Sequence, residues 1–106
     1  MTMPSGPELS RLGAWYRAQC DGDWEHRYGV TIESLDNPGW RVTIDLVGTA
    51  LAGRTDFPPL DAARYEGAWL DCRVDGDTFM GAGDPDKLAT ILRLFLDWAD
   101  DPAATR

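Results

Sequence analysis

A chain of 106 residues with 18 acids against ten lysines and arginines, net charge −8, has room for one hydrophobic core and no second domain. Its 43% hydrophobic and 10% aromatic content fills that core and excludes a disordered chain. The charge repels phosphate backbones and anionic lipid, which argues against nucleic acid or membrane as partners and favours a basic protein.

Residues 1–7 have neither the basic nor the apolar part of a signal peptide, and no apolar run reaches the ~18 residues that cross a bilayer. Cys20 and Cys72 lie far apart without a paired motif, which predicts free thiols and a cytoplasmic protein. In chain order, residues 8–20 read as a helix, with Leu9, Leu12, Trp15, Tyr16 and Gln19 to Cys20 on one stripe. Ser5 or Pro7 starts it and Asp21-Gly22 ends it. A polar-aromatic linker, 23–27, leads to a hairpin of strands 28–35 and 40–46. Val30 and Ile32 share one strand face; Trp40, Val42, Ile44 and Leu46 point inward from the other strand. Between the strands, Asp36-Asn37-Pro38-Gly39 predicts a type II turn with Gly39 at positive φ.

Residues 48–63 read as irregular, and Phe57-Pro58-Pro59 as a surface connection or an edge. A third strand is predicted over 65–74, with Leu70, Cys72 and Val74 on one face. Asp75-Gly76-Asp77 then turns into a fourth strand, 78–83. The last helix spans 85–100, with Asp84 as N-cap, Pro85 as first residue, and Leu88, Ile91, Leu92, Phe95, Trp98 and Ala99 buried. This is an α+β domain of order αββββα: a four-stranded, mostly antiparallel sheet with both helices packed on it. Its core covers about residues 8–100, with flexible tails at 1–6 and 102–106.

The densest set of functional side chains is Cys20-Asp21-Gly22-Asp23-Trp24-Glu25-His26. Asp21 and Asp23 imitate the start of an EF-hand, but no glutamate closes a twelve-residue loop. A zinc set of Cys20, His26 and Cys72 has no paired spacing. Neither metal nor cofactor is therefore expected. Glu25 or Asp23 beside His26 offers an acid–base pair, without any nucleophile signature. The alternative function is thus a small enzyme or ligand-binding domain using Glu25, His26 and Asp36. Two other roles fit the same cluster. Trp24, Tyr28 and Trp40 close one end of the core while the aspartates cap turns; or an exposed Trp24 among carboxylates anchors a partner protein.

Several runs resemble the immunity protein 53 family of bacterial polymorphic toxin systems. They are Trp15-Tyr16, the stretch from Gln19 to His26, Tyr28-Gly29-Val30 and Leu35-Asp36-Asn37-Pro38-Gly39-Trp40. Ile44-Asp45-Leu46 with Gly48-Thr49, the Trp69 strand, and 81–85 leading to Phe95 and Trp98 extend the likeness over residues 9–99. Only 50–67 finds no counterpart. The resemblance implies a non-enzymatic immunity protein that binds and neutralises a cognate toxin. A nuclease toxin suits the charge, because its nucleic-acid groove must be basic. A monomer is expected.

Two acidic groups are the candidate contact surface. The first is Asp21, Asp23, Glu25, Glu33 and Asp36, with Trp24 and His26 beside them. The second is Asp97, Asp100 and Asp101, at the end of a helix whose dipole disfavours negative charge. The binding surface is expected where the two groups share a face.

Overall fold

The computed structural model describes residues 6–58, 60–65 and 68–101. The N-terminal pattern forms α1 (Gly6–Gln19). The stretch read as a linker is instead a single helical turn, α2 (Trp24–Arg27). Then come β1 (Val30–Leu35), β2 (Gly39–Asp45), β3 (Leu60–Tyr65), β4 (Ala68–Asp75), β5 (Thr78–Gly83) and finally α3 (Leu88–Ala99). The strands pair antiparallel throughout, in the order β1-β2-β5-β4-β3.

The α+β class, the helix at each end and the antiparallel sheet are those the sequence predicts, and β5 has the predicted bounds. The sheet gains a fifth strand, β3, whose first four residues read as irregular in the sequence. Leu-Asp-Ala-Ala-Arg-Tyr has no β-branched alternation; it is an edge strand that takes its hydrogen bonds from the main chain of β4. Tyr65 belongs to this strand and not to the one that carries Trp69. The expected start signal at Ser5 and both tails, 1–5 and 102–106, lie outside the described residues.

Alternation puts Val42 and Ile44 of β2, Leu70 and Cys72 of β4 and Phe79 of β5 on one buried face. Helix α3 covers that face with Ile91, Leu92, Phe95, Leu96 and Trp98. It approaches closely because β5 has Gly81 beneath it; a methyl there would overlap Ile91 Cγ2. The sheet's opposite face carries Arg41, Asp71 and Arg73 beside Met80 and Ala82.

Helix α1 lies against α3 more than against the sheet, and this changes which of its residues are covered. Its inner line is Glu8, Leu12 and Trp15, with Trp15 packed edge-on to Phe95 at 5.1 Å. Leu9 and Tyr16, assigned by spacing to the buried stripe, stay exposed.

Phe57 corrects the reading of its segment as a mere surface connection. It is buried edge-on against Phe79 at 5.4 Å and Trp98 at 5.3 Å, so residues 54–58 close one side of the core. At the far end of the sheet the motifs Asp36 to Trp40, Trp69 and Gly81 to Pro85 meet. Gly39 is not among the glycines with positive φ, so the turn is not the type II turn expected. Gly39 is instead needed for space: a side chain would overlap the Gly83 carbonyl, with the Trp69 ring 3.1 Å away. Trp40 Nε1 donates to the Pro85 carbonyl at 3.1 Å.

Asp84 does not cap α3 directly, and the helix begins three residues later than predicted. The buried Asp84 carboxylate accepts from Trp69 N (2.8 Å), Asp86 N (2.9 Å) and Lys87 Nζ (2.8 Å), tying β4 to a turn that precedes the helix. The Lys87 ammonium is the main cause holding its pKa down to about 2, helped by the two amides against the cost of burial.

Candidate functional site

The loop after α1 is built from its own carboxylates. Asp21 Oδ1 accepts from the amides of Asp23 and Trp24, both at 2.9 Å, and so satisfies the open N-terminus of α2. Glu25 reaches back, Oε1 accepting from Asp21 N at 3.0 Å and Oε2 from Gly22 N at 2.8 Å. The two carboxylates cap the bend from opposite sides, Asp21 holding the amides that follow it and Glu25 reaching back to those of Asp21 and Gly22, in the manner of a capping box. Gly22 makes the reversal possible at φ 93°, where a side chain would be strained. The amides of Trp24 and then Asp23 lower the Asp21 pKa; those of Glu25 itself, Asp21 and Gly22 lower that of Glu25.

Trp24 is buried, which corrects its reading as an exposed anchor. Its ring meets Trp15 (6.2 Å), Tyr16 (6.1 Å) and Tyr28 (6.2 Å), and Nε1 donates to the Val47 carbonyl at 2.7 Å. It thereby locks the loop onto α1 and onto the segment after β2. Asp23 and His26 face solvent, and Asp23 makes an exposed ion pair with Arg27 at 3.4 Å. Glu33 stands on the exposed face of β1, paired with Arg41 at 3.2 Å. Asp36 is exposed in the turn beyond that strand.

The Asp21–Glu25 loop and the Asp97–Asp100 pair meet α1 on different sides. Asp97 and Asp100 grip Arg11 at 3.1 and 3.0 Å, so a cation from α1 offsets the unfavourable charge at the end of α3. Arg11 is five residues from Tyr16, roughly 140° round the helix at 100° per residue. Tyr16 is the side chain beside Glu25: its pKa is raised first by Cys20 and, among lesser causes, by the Glu25 charge. Asp97 and Asp101 also line a cleft of about 570 Å³ with Asp56, Phe57, Pro58, Leu94 and Trp98. Within this region the Arg54 guanidinium stacks 4.3 Å above the Trp98 ring and pairs with Asp56 at 3.0 Å. Arg11 and Asp56 escaped the sequence reading; nothing local in the chain marks which charges a distant helix will meet.

The acid–base set of the alternative reading does not assemble. Glu25 and His26 precede β1 and Asp36 follows it, so about 20 Å of extended strand separates them. Among the described residues no three His, Cys, Asp or Glu side chains converge where a metal ion could sit. Cys72 is enclosed in the core, and Cys20 donates to the Tyr16 carbonyl at 3.3 Å; both thiols are free. Among the described residues no helix is long and apolar enough to cross a membrane.

These features define a small α+β domain with an acidic exterior, whose motif residues mostly hold loops and close the sheet end. The chain belongs to the immunity protein 53 family, whose model matches residues 9–100. No curated protein and no solved structure matches it.

Proposed function

We propose that this protein binds a cognate bacterial polymorphic toxin in the cytoplasm and neutralises it by covering its active or substrate-binding surface. It acts as a monomer and without catalysis. The observation that carries the reading is the family match over residues 9–100. The net charge of −8 supports a basic counterpart, and the nucleic-acid groove of a nuclease toxin has that character. The contact residues we assign are Asp23, His26, Glu33 and Asp36, with Asp97, Asp100 and Asp101 as a second group across α1, all of them exposed. Asp21 and Glu25 belong to the same acidic loop, but their loss would open it.

The test is co-expression with the toxin-domain protein encoded beside this gene, scored by growth and by affinity of the purified pair. Asp23 and Glu33 make exposed ion pairs only, so the double variant Asp23→Arg, Glu33→Arg should melt as the wild type does. Its affinity should fall at least about tenfold, and the wild-type affinity should weaken with added salt. A double variant that binds and protects fully moves the contact off this surface. A wild-type chain that neither binds nor protects refutes the reading.

A further inference from the structure

Of the exposed large apolar side chains among the described residues, Leu9, Tyr16 and Ile32 (52, 39 and 38% exposed), the first two line a groove beside β1 and the third stands further along that strand. Leu9 and Tyr16 stand two turns apart on one line of α1. With Leu12 and Val30 they line a hollow of about 510 Å³ between α1 and β1. Ile32 extends the same strand face, since its partner Val42 is buried under the helices.

Among the described residues the groove opens along a strand edge that no other strand pairs. β1 ends the sheet, and its register with β2 runs without a bulge from Val30 to Leu35. Asp45 N donates to the Gly29 carbonyl at 3.1 Å, which sets the phase of the ladder. By antiparallel alternation Thr31, Glu33 and Leu35 bond inward to β2, while Val30, Ile32 and Ser34 turn their amides and carbonyls outward. No proline or lysine within the strand blocks pairing. A row of main-chain donors and acceptors beside an apolar trough is matched on both counts by an extended chain.

Resting on the neutralising role above, we propose that β1 is the docking edge for an extended segment of the toxin, added as a sixth strand. The segment alternates apolar and basic residues. Apolar ones enter the groove under α1, and basic ones emerge on the opposite face beside Glu33, which keeps 48% of its side chain exposed despite its pair with Arg41. Charge decides the occupant. A second copy of this chain would pair a strand whose one charged residue is Glu33 with its own like, between two bodies of net charge −8.

The experiment uses the full chain and the purified toxin-domain protein encoded beside it. Ser34→Pro deletes an outward amide and no ladder bond, so the fold survives, whereas Ser34→Ala keeps that amide. Ser34→Pro should raise Kd about tenfold and Ser34→Ala less than twofold. In the wild-type complex, hydrogen exchange at the amides of Val30, Ile32 and Ser34 should slow more than tenfold. If Ser34→Pro melts early, that exchange measurement decides alone. A complex with unprotected β1 amides, or a folded Ser34→Pro variant with wild-type affinity, overturns the docking edge while leaving neutralisation intact. A dimer of this chain that Ser34→Pro dissolves overturns the assigned occupant. No complex with the wild type removes both readings.

Discussion

Gly81 is where a single methyl group tests the packing of the whole domain. An added Cβ would overlap Ile91 Cγ2 and stand 3.3 Å from Phe79 Cε2 and 3.4 Å from Cys72 Sγ. All three neighbours are fully buried, so none can swing into solvent. Carbon contacts settle at about 3.5–4.0 Å, so Ile91, and α3 with it, must retreat by about 1 Å or more. Overpacking of this kind costs about 1–3 kcal/mol. In a domain of this size each kcal/mol lowers Tm by about 4–8 °C, so Gly81→Ala should melt roughly 8–16 °C early for a cost near the middle of that range. Urea melts of a double-mutant cycle give the cause. In an Ile91→Ala background the same methyl enters vacated space, and its cost should drop by more than half. A Gly81→Ala protein that melts within 1 °C or so of the wild type would refute the close approach of α3 to β5.

Two titration predictions follow from groups that hold the fold. Asp84, held down to about 2, and Asp21, Glu25 and Asp56, all lowered, stabilise the native state above their ordinary values of 3.8 for aspartate and 4.5 for glutamate. That contribution is lost as pH falls from about 4 toward 2, so urea midpoints should drop steeply there, and Asp84→Asn should flatten the drop; equal slopes for both proteins would exclude Asp84 as a contributor. Burial pushes the Cys72 thiol up to about 12, so its stabilising effect is full below about 9 and declines between about 9 and 12 as the unfolded chain alone ionises. A thiol reagent at pH 8 should label Cys20 of the native protein and leave Cys72 unmodified until denaturant is added; rapid labelling of both would contradict the enclosed position of Cys72.

Local patterns carried much of the architecture. The alternation of Val42 and Ile44, the turn at Gly76, and the stripe from Leu88 to Trp98 each state a period and a polar break, and those are properties of neighbouring residues. The two long motifs were legible as family signatures, although their roles were not. Spacing left Asp21 either a turn cap or a contact charge, and only the bend of the loop onto it selects the cap; Glu25, read as an acid or a contact, turns out to share that task. Trp24 fitted a core position and an exposed anchor equally, and its enclosure by Trp15, Tyr28 and the Val47 carbonyl decides for the first.

What tertiary structure decided is which apolar stripe meets which surface, and which backbone pairs with which. Residues 60–65 have no period of their own and become a strand because β4 offers a ladder. Spacing on α1 admitted Leu9 and Tyr16 to the core as readily as Leu12 and Trp15. Docking against α3 turned the first pair outward and left an open groove beside β1. Periodicity records how much apolar surface a segment has; the direction it faces depends on partners far along the chain, and so appears only in the folded molecule.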